Sequence, residues 1–340
     1  YEGGNTKLTD LLDAWQQADS DDRARNASSS FGSDEGAVDD AHMISDFTDV
    51  INDMAAKGWS IAVATGDHGA TQDCSNLSVG FPASDPFVVA TGGTNLTLNN
   101  NAGAAQYSAE HPWNGPGCNG NAGANQGGGN GGCAGIEPRG FYQEVFGPDN
   151  LCGGKRSLPD VALNSAIGES VYYNGSWVGF AGTSIAAPEL AGYFAQLNSY
   201  MLVLGNICGP APYNQACAPV GLPNYVLWGQ GWAGSVVPST PRNPFYDIKA
   251  SSPFNSAVDC IGGDGGQGLS GLYCAGDGYD QATGWGSFNM LRTAWAFGYS
   301  LGGGAFPDLN FTGPATNAWY KSDQTVNFTV SSPVVSGTSA

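Results

Sequence analysis

Positive charge is scarce in this chain of 340 residues. Eleven Lys and Arg stand against 30 Asp and Glu, a net charge of −19 with His neutral. Phosphate backbones and anionic membrane surfaces repel such a chain, which argues against nucleic acid or anionic lipid as partners. Charge of either sign is also sparse, at 12% of residues. As the pH falls toward the carboxylate range, most acidic groups become neutral and few basic groups remain to repel one another. That balance suits an acidic environment, and it suits an ordinary acidic secreted protein equally well. Histidine is limited to His42, His68 and His111, all of which read as ordinary structural residues. No apolar run reaches the roughly 20 residues of a membrane span. Tyr1-Glu2-Gly3-Gly4 is neither basic nor apolar, so no signal peptide is expected at this start. The expectation is a mature chain, or one that begins inside a longer precursor.

Cysteine is present eight times, an even number without C-x-x-C zinc spacing. Disulfides formed in an oxidising compartment are the simplest account. Sequence alone does not fix the pairing. Cys118 with Cys133, Cys208 with Cys217, and Cys260 with Cys274 would close local loops, leaving Cys74 with Cys152. N-x-S/T sequons begin at Asn26, Asn76, Asn95, Asn174, Asn310 and Asn327. Together with the cysteines they favour a secreted glycoprotein, extracellular or held in an acidic, lysosome-like compartment.

Apolar spacing predicts a helix over 6–18, with Leu8, Leu11, Leu12 and Trp15 on one face. A second helix is expected over 39–57, where Met43, Ile44, Phe47, Val50, Ile51 and Met54 form a stripe that ends at Gly58. A buried strand follows at 60–64, and 87–90 is another apolar run. A helix leading into a buried strand points to an α/β fold with a mostly parallel sheet flanked by helices. Residues 114–136 are rich in Gly and Asn and read as a long surface loop pinned by cysteines. Residues 171–180 read as a hairpin turning at Asn174-Gly175, and a helix should run from Ser184 to about 202. Residues 205–275 look loop-rich. After Gly304 the composition changes, and 326–330 alternates as a sandwich strand would. This divides the chain into a domain over 1–304 and, over 305–340, the start of a β-module.

The most informative stretch is Gly182-Thr183-Ser184-Ile185-Ala186-Ala187-Pro188. A Ser at a helix start sits at the positive end of the macrodipole, and its own N–H is free to point at a developing oxyanion. Ala186 and Ala187 keep the first turn thin, and Pro188 is expected where first-turn N–H groups have no helical partner. The plainer alternative makes Ser184 only a helix cap. The second stretch is Ala64-Thr65-Gly66-Asp67-His68-Gly69, at the carboxyl end of the 60–64 strand, where α/β active sites form. Its plainer alternative is an Asp-Gly turn.

Taken together, these stretches resemble the sedolisin (serine-carboxyl peptidase) family, in which G-T-S-x-x-x-P carries the nucleophile and S-G-D-x-G the oxyanion donor. More of the chain is similar. Residues 81–94 (FPASDPFVVATGGT) match Y-P-A-S-S-P-Y-V-x-x-V-G-G-T, residues 157–162 match V-P-D-V-S, and residues 30–35 match S-x-G-x-x-E. The likeness spans roughly 1–300 and implies a subtilisin-like α/β fold that lacks its first elements here. It also implies a serine peptidase acting on peptide or protein substrates, with Ser184 as nucleophile. Subtilisins place an Asn amide at the oxyanion. A carboxylate there would repel the oxyanion, whereas a protonated Asp67 can donate to it, which implies activity at acid pH. Thr65 stands where the family has Ser. By the same resemblance, Ser30, Phe31 and Gly32 line the cleft and pair with the substrate backbone.

The resemblance further implies a structural Ca²⁺, held by the carboxylates of Asp247 and Asp280 and the carbonyls of Ile248, Gly276 and Gly278. A plain Gly-Asp turn is the alternative. The family's general base, a Glu oriented by an Asp in E-x-x-L-D, has no counterpart in these residues. Asp10-Leu11-Leu12-Asp13 imitates it with the wrong spacing and no Glu, and none of the three His stands in an H-G-T setting that would supply a subtilisin-type base. Two expectations follow. Either a separate N-terminal chain carries the Glu/Asp pair, or the protein is a fragment or inactive relative that acts as a binding or structural glycoprotein.

Overall fold

In the computed structural model, four strands run parallel. Asn26–Ser29 pairs with Ser60–Ala64, which pairs with the start of Val89–Asn101, which pairs with Val161–Asn164. The far half of Val89–Asn101 pairs antiparallel with Ala104–Pro112. The structure describes residues 7–38, 41–101, 104–114, 127–166, 169–203, 219–236, 244–248, 273–300, 308–312 and 327–331.

The expected 60–64 strand is observed with those bounds. Ile61, Ala62 and Val63 are all buried, as befits a parallel strand covered on both faces. Alternation then sends Ile61 and Val63 to one core and Ala62 to the other. On the first face the helices Leu8–Asp21 and Ala41–Ala56 supply Leu12, Trp15, Phe47 and Ile51. On the second, helix Thr183–Val203 lays Ala186, Ala187, Leu190 and Phe194 against the sheet. The helix–sheet–helix layering is the expected α/β architecture.

Three local expectations are corrected. Residues 127–136 are not a surface loop. Gly128 to Gly132 are buried, Asn130 is fully so, and Gly132–Pro138 is a strand pairing with Lys155–Leu158. Other backbone crowds Gly129 and Gly131, and the Trp113 and Tyr273 rings crowd Gly127 and Gly132. A Cβ at Gly129 would stand 2.9 Å from the Gly93 nitrogen. Residues 115–126 lie outside the described residues.

The second correction concerns cysteine. Cys133 bonds to Cys152, with Cα atoms 5.4 Å apart, so neither Cys118–Cys133 nor Cys74–Cys152 forms. The 132–138/155–158 hairpin brings residue 133 back beside 152, a proximity that sequence spacing does not show. Cys74 and Cys274 are also disulfide-bonded. Cys118, Cys208, Cys217 and Cys260 lie outside the described residues.

Third, residues 205–275 contain a helix, Asn224–Val236. Trp228 and Asn224 reach from it to Asp160, donating to Oδ1 at 2.7 Å and Oδ2 at 3.0 Å. Arg156 grips the same buried carboxylate from Nη1 and Nη2 at 2.9 and 2.6 Å, and the Ala90 N–H adds a bond at 2.7 Å. Asp160 of the P-D-V motif therefore ties the sheet to this helix.

The 171–180 hairpin forms as Glu169–Tyr173 against Ser176–Phe180, and positive φ at Asn174 and Gly175 makes its turn type I′. In the region expected to begin a β-module, Asp308–Thr312 pairs antiparallel with Asn327–Ser331. Among the described residues no helix is long and apolar enough to cross a membrane.

Candidate active site

The carboxyl ends of two parallel strands meet at Ser184. From the 60–64 strand the chain turns through Gly66 into Asp67. From the 161–164 strand, the Ser165 carbonyl accepts the Gly182 N–H at 2.7 Å. Ser184 lies half-buried in the first turn of Thr183–Val203, where backbone N–H groups lack helical acceptors.

Thr183 locks Asp67 beside this turn. Its N–H and its hydroxyl both donate to Asp67 Oδ1, at 2.8 and 2.9 Å. The hydroxyl in turn accepts the Gly66 N–H at 3.1 Å. With Oδ1 taken by two donors, Oδ2 is the oxygen left for other partners. That oxygen faces Gly182, where an added Cβ would lie 3.0 Å from it. Gly182 also sits at φ +131°, which disfavours any other residue. The space between Asp67 Oδ2 and the turn carrying Ser184 is thus kept clear by a glycine.

The 127–131 stretch clamps the Asp67 turn from outside. The Gly128 N–H donates to the Asp67 carbonyl at 2.9 Å, and the Gly69 N–H donates to Gly128 at 2.9 Å. Asn130 Nδ2 donates to the Gly69 carbonyl at 2.7 Å. Sequence reading missed Asn130 and the positioning role of Thr183. Thr183 was visible inside the G-T-S motif, whereas Asn130 was hidden in a Gly/Asn-rich run. His68 is a local structural residue, with Nδ1 2.9 Å from the Gln72 carbonyl.

Of Ser30, Phe31 and Gly32, Ser30 reaches the same turn. Pro188 lies beyond the first helical turn, contrary to expectation, so its missing N–H deprives the Ser184 carbonyl of the usual donor four residues on. The Ser30 hydroxyl fills the gap, donating to the Ser184 carbonyl at 3.0 Å. The proline therefore leaves room for a link between residue 30 and residue 184. Phe31 is 67% exposed. Gly32 passes so close to Phe81 that a Cβ would stand 2.6 Å from its carbonyl oxygen. Farther along, buried Glu35 accepts the N–H groups of Gly135, Ile136 and Glu137 at 2.6, 3.0 and 3.0 Å. A groove of ≈ 330 Å³ lined by Trp15, Ser30, Phe31 and Pro188, among others, runs beside this segment. The nearest imitation of a base motif, Asp10 to Asp13, lies on helix Leu8–Asp21, with Asp13 exposed.

Two further carboxyls lie behind Glu35. The Thr48 hydroxyl donates to Asp85 Oδ2 at 2.8 Å and reaches Glu137 Oε1 at 3.5 Å. Burial pushes Asp85 up to about 6, against bonds from Phe87 and Thr48 and the charge of Arg156. Burial, then the charges of Asp85 and Glu35, push Glu137 up to about 7, against Thr48 and Lys155. Carboxyls raised on folding stabilise fully below their unfolded values, near 4, and lose that contribution as the pH rises through 6 to 7. For Asp85 the linkage is on the order of 3 kcal/mol. Asp85→Asn with Glu137→Gln should raise the thermal midpoint at pH 7 relative to the parent and leave no such gain at pH 4. Thermal melts across pH check this, and an equal shift at both pH values would contradict it.

The proposed metal loop is only partly formed by side chains. Asp247 Oδ2 accepts the Gly278 N–H at 3.1 Å, and Asp280 Oδ2 accepts that of Gly276 at 3.0 Å. Asp280 Oδ1 takes Ala282 and Thr283 N–H at 2.9 and 2.8 Å. Ile248 is buried beside Asp247. Among the described residues, no three His, Cys, Asp or Glu side chains cluster as a metal site.

No family model matches the chain. It is 31% identical over 299 residues to sedolisin of Pseudomonas sp. (strain 101), an alignment covering 85% of this chain and 43% of that protein. It is 30% identical to kumamolisin of Bacillus sp. (strain MN-32), over 69% of this chain and 36% of that protein. To human tripeptidyl-peptidase 1 it is 26% identical, over 78% and 42%. The chain thus spans less than half the length of these curated relatives. Among solved structures, Pseudomonas sedolisin, a serine-carboxyl proteinase complexed with pseudo-iodotyrostatin, superposes with a TM-score of 0.63. The identity is 29%, covering 86% of this chain and 70% of that one.

Proposed function

The chain belongs to the sedolisin family, and from that premise we propose that it is the nucleophile-bearing part of a serine-carboxyl peptidase that hydrolyses peptide bonds at acid pH. The observation that carries this reading is the Asp67–Thr183 lock, which sets a carboxyl oxygen beside the glycine preceding Ser184. Ser184 Oγ attacks the scissile carbonyl and forms an acyl-enzyme, which water then hydrolyses. Asp67, protonated on Oδ2, and the Ser184 N–H donate to the oxyanion. Ser30, Phe31 and Gly32 hold the acyl portion of the substrate. The general base is a Glu/Asp pair outside residues 1–340, in a preceding segment or a separate associated chain. A carboxylate base works at a pH where His would be protonated. Hydrolysis of an unfolded protein at acid pH by the full-length protein, lost in Ser184→Ala, tests the reading. A binding or structural glycoprotein would be indifferent to that substitution.

Residues 1–304 form the peptidase domain in this reading, and 305–340 begin a β-module. Asn76, Asn95 and Asn174 are exposed and open to glycans. Asn26 instead lies in the sheet and accepts from Asn198 at 3.0 Å. Secretion, or delivery to an acidic compartment, fits the disulfides and the charge balance.

The carbonyls of Ile248, Gly276 and Gly278 with the carboxylates of Asp247 and Asp280 would offer an all-oxygen set, the donor type that Ca²⁺ takes. Bound there, the ion would supply positive charge that pins two loops together and would take no part in the chemistry. A chelator should lower the thermal midpoint by several degrees, on the order expected for a ligand bound only by the folded state. An unchanged midpoint would remove calcium from the account.

A further inference from the structure

Ser30 enters the proposed reaction only through its backbone, and Pro188 does not enter it at all. Their side chains meet at residue 184. Pro188 stands four residues after Ser184 in helix Thr183–Val203. It has no N–H to give the Ser184 carbonyl, and a proline ring also crowds the carbonyl four residues before it. A carbonyl placed so leans off the helix axis and takes its donor from outside the helix. Here the donor is the Ser30 hydroxyl, at 3.0 Å.

The bond completes a set of anchors around residue 184. Ahead of it, the Gly182 N–H donates to the Ser165 carbonyl at 2.7 Å, and the Thr183 N–H donates to Asp67 Oδ1 at 2.8 Å. Behind it, the Ile185 N–H donates to the Gly182 carbonyl at 3.0 Å. The peptide group joining Ser184 to Ile185 is thus held at its N–H by Gly182 and at its oxygen by Ser30. Without the hydroxyl, the N–H bond alone would fix that peptide.

Ser30 projects from a segment that is fixed on both sides. It follows directly on Asn26–Ser29, whose pairing sets Ser29 beside Val63 in the sheet. The buried Ser29 hydroxyl accepts the Phe31 N–H at 3.4 Å and donates to the Phe31 carbonyl at 3.3 Å, which braces the turn out of the strand. Beyond it, Glu35 is gripped by the N–H groups of Gly135, Ile136 and Glu137. Ser30 itself is exposed. Water competes for its bond, so the contact gives direction more than stability.

Resting on the peptidase reading, we infer that Ser30 is a positioning residue, whose hydroxyl replaces the helical donor that Pro188 lacks and fixes the backbone from which Ser184 Oγ is aimed. Ser30 acts through residue 184 and its hydroxyl touches no reacting atom. Aim matters, because a misplacement of about 1 Å can cost about 100-fold in rate. The bond also joins the segment that holds the acyl portion to the residue that attacks it, so substrate and nucleophile share one frame.

The exchange of donors gives the test. Pro188→Ala restores an N–H four residues after Ser184, and the Ser184 carbonyl can then be satisfied inside the helix. Ser30→Ala is made in the parent and in Pro188→Ala, both as full-length protein. Both kcat and KM are measured on an internally quenched peptide at acid pH. In the parent, Ser30→Ala should lower kcat about tenfold with KM within about twofold, the effect of one directing hydrogen bond. In the Pro188→Ala background the same substitution should cost less than about threefold, because the two donors are coupled. Ser30→Thr, which keeps the hydroxyl, should retain most of the parent's kcat. Thermal midpoints within a few degrees of the parent's should accompany these rates. An equal loss in both backgrounds, or a loss carried by KM, would overturn the positioning role. Should Pro188→Ala fail to fold, a Ser30→Thr variant as slow as Ser30→Ala would overturn it. If the unsubstituted protein cleaves no peptide, the peptidase reading fails and the inference falls with it. Cleavage that Ser30→Ala leaves within about twofold of the parent sinks the inference alone.

Discussion

Ser184→Ala in the full-length protein is expected to lower kcat for peptide hydrolysis by about 10⁴- to 10⁶-fold, the loss seen when a serine peptidase nucleophile is removed. The folded structure should barely change. The contact that Ser184 makes to the cleft segment runs from the Ser30 hydroxyl to its backbone carbonyl, which the substitution leaves in place. The serine is half-buried at a helix start, where Ala is tolerated. A thermal midpoint close to the parent's, with hydrolysis gone, separates loss of the nucleophile from loss of the fold. Retained hydrolysis would make Ser184 a helix residue and nothing more.

Asp67→Ala is expected to cost about 10²–10³ in kcat, the usual effect of deleting one oxyanion donor. That variant also strips two hydrogen bonds from Thr183, so a lower rate alone could reflect a loosened turn. Asp67→Asn resolves the two causes. Its amide oxygen can still accept both Thr183 donors, and its Nδ2 takes the place of Oδ2 with hydrogens that pH does not remove. Activity relative to Asp67→Ala should return at acid pH. The fraction of activity kept on raising the pH should exceed the parent's, within the limit set by the carboxylate base. If Asn behaves like Ala at every pH, Asp67 has no donor role.

The layering was legible from periodicity because it depends on which face each residue turns to the core. Ile61 to Val63 and the stripe from Ile44 to Met54 carry that signal plainly. The candidate nucleophile Ser184 and its neighbour Asp67 stood out because both lie in short contiguous motifs at a strand end and a helix start, and the structure brings those two motifs together. What escaped depends on contacts between distant segments. The run around Asn130 reads as a loop by composition, yet backbone crowds Gly129 and Gly131 while the rings of Trp113 and Tyr273 crowd Gly127 and Gly132. The helix Asn224–Val236 reads as punctuated by Gly229 and Gly231. Those positions are small because Phe146 and the Trp285 ring pack against them. Pro188 shows the same limit. It was expected in the first turn and stands beyond it, and the bond it frees for Ser30 appears only when residue 30 is folded against residue 184.

The most direct test is mass spectrometry of the full-length protein, quenched in acid during turnover of an activated peptide ester and then digested. The account predicts a mass increase equal to the acyl group on the peptide containing Ser184, absent from Ser184→Ala. An unmodified Ser184 peptide during active turnover, or the acyl group on another residue, would contradict it.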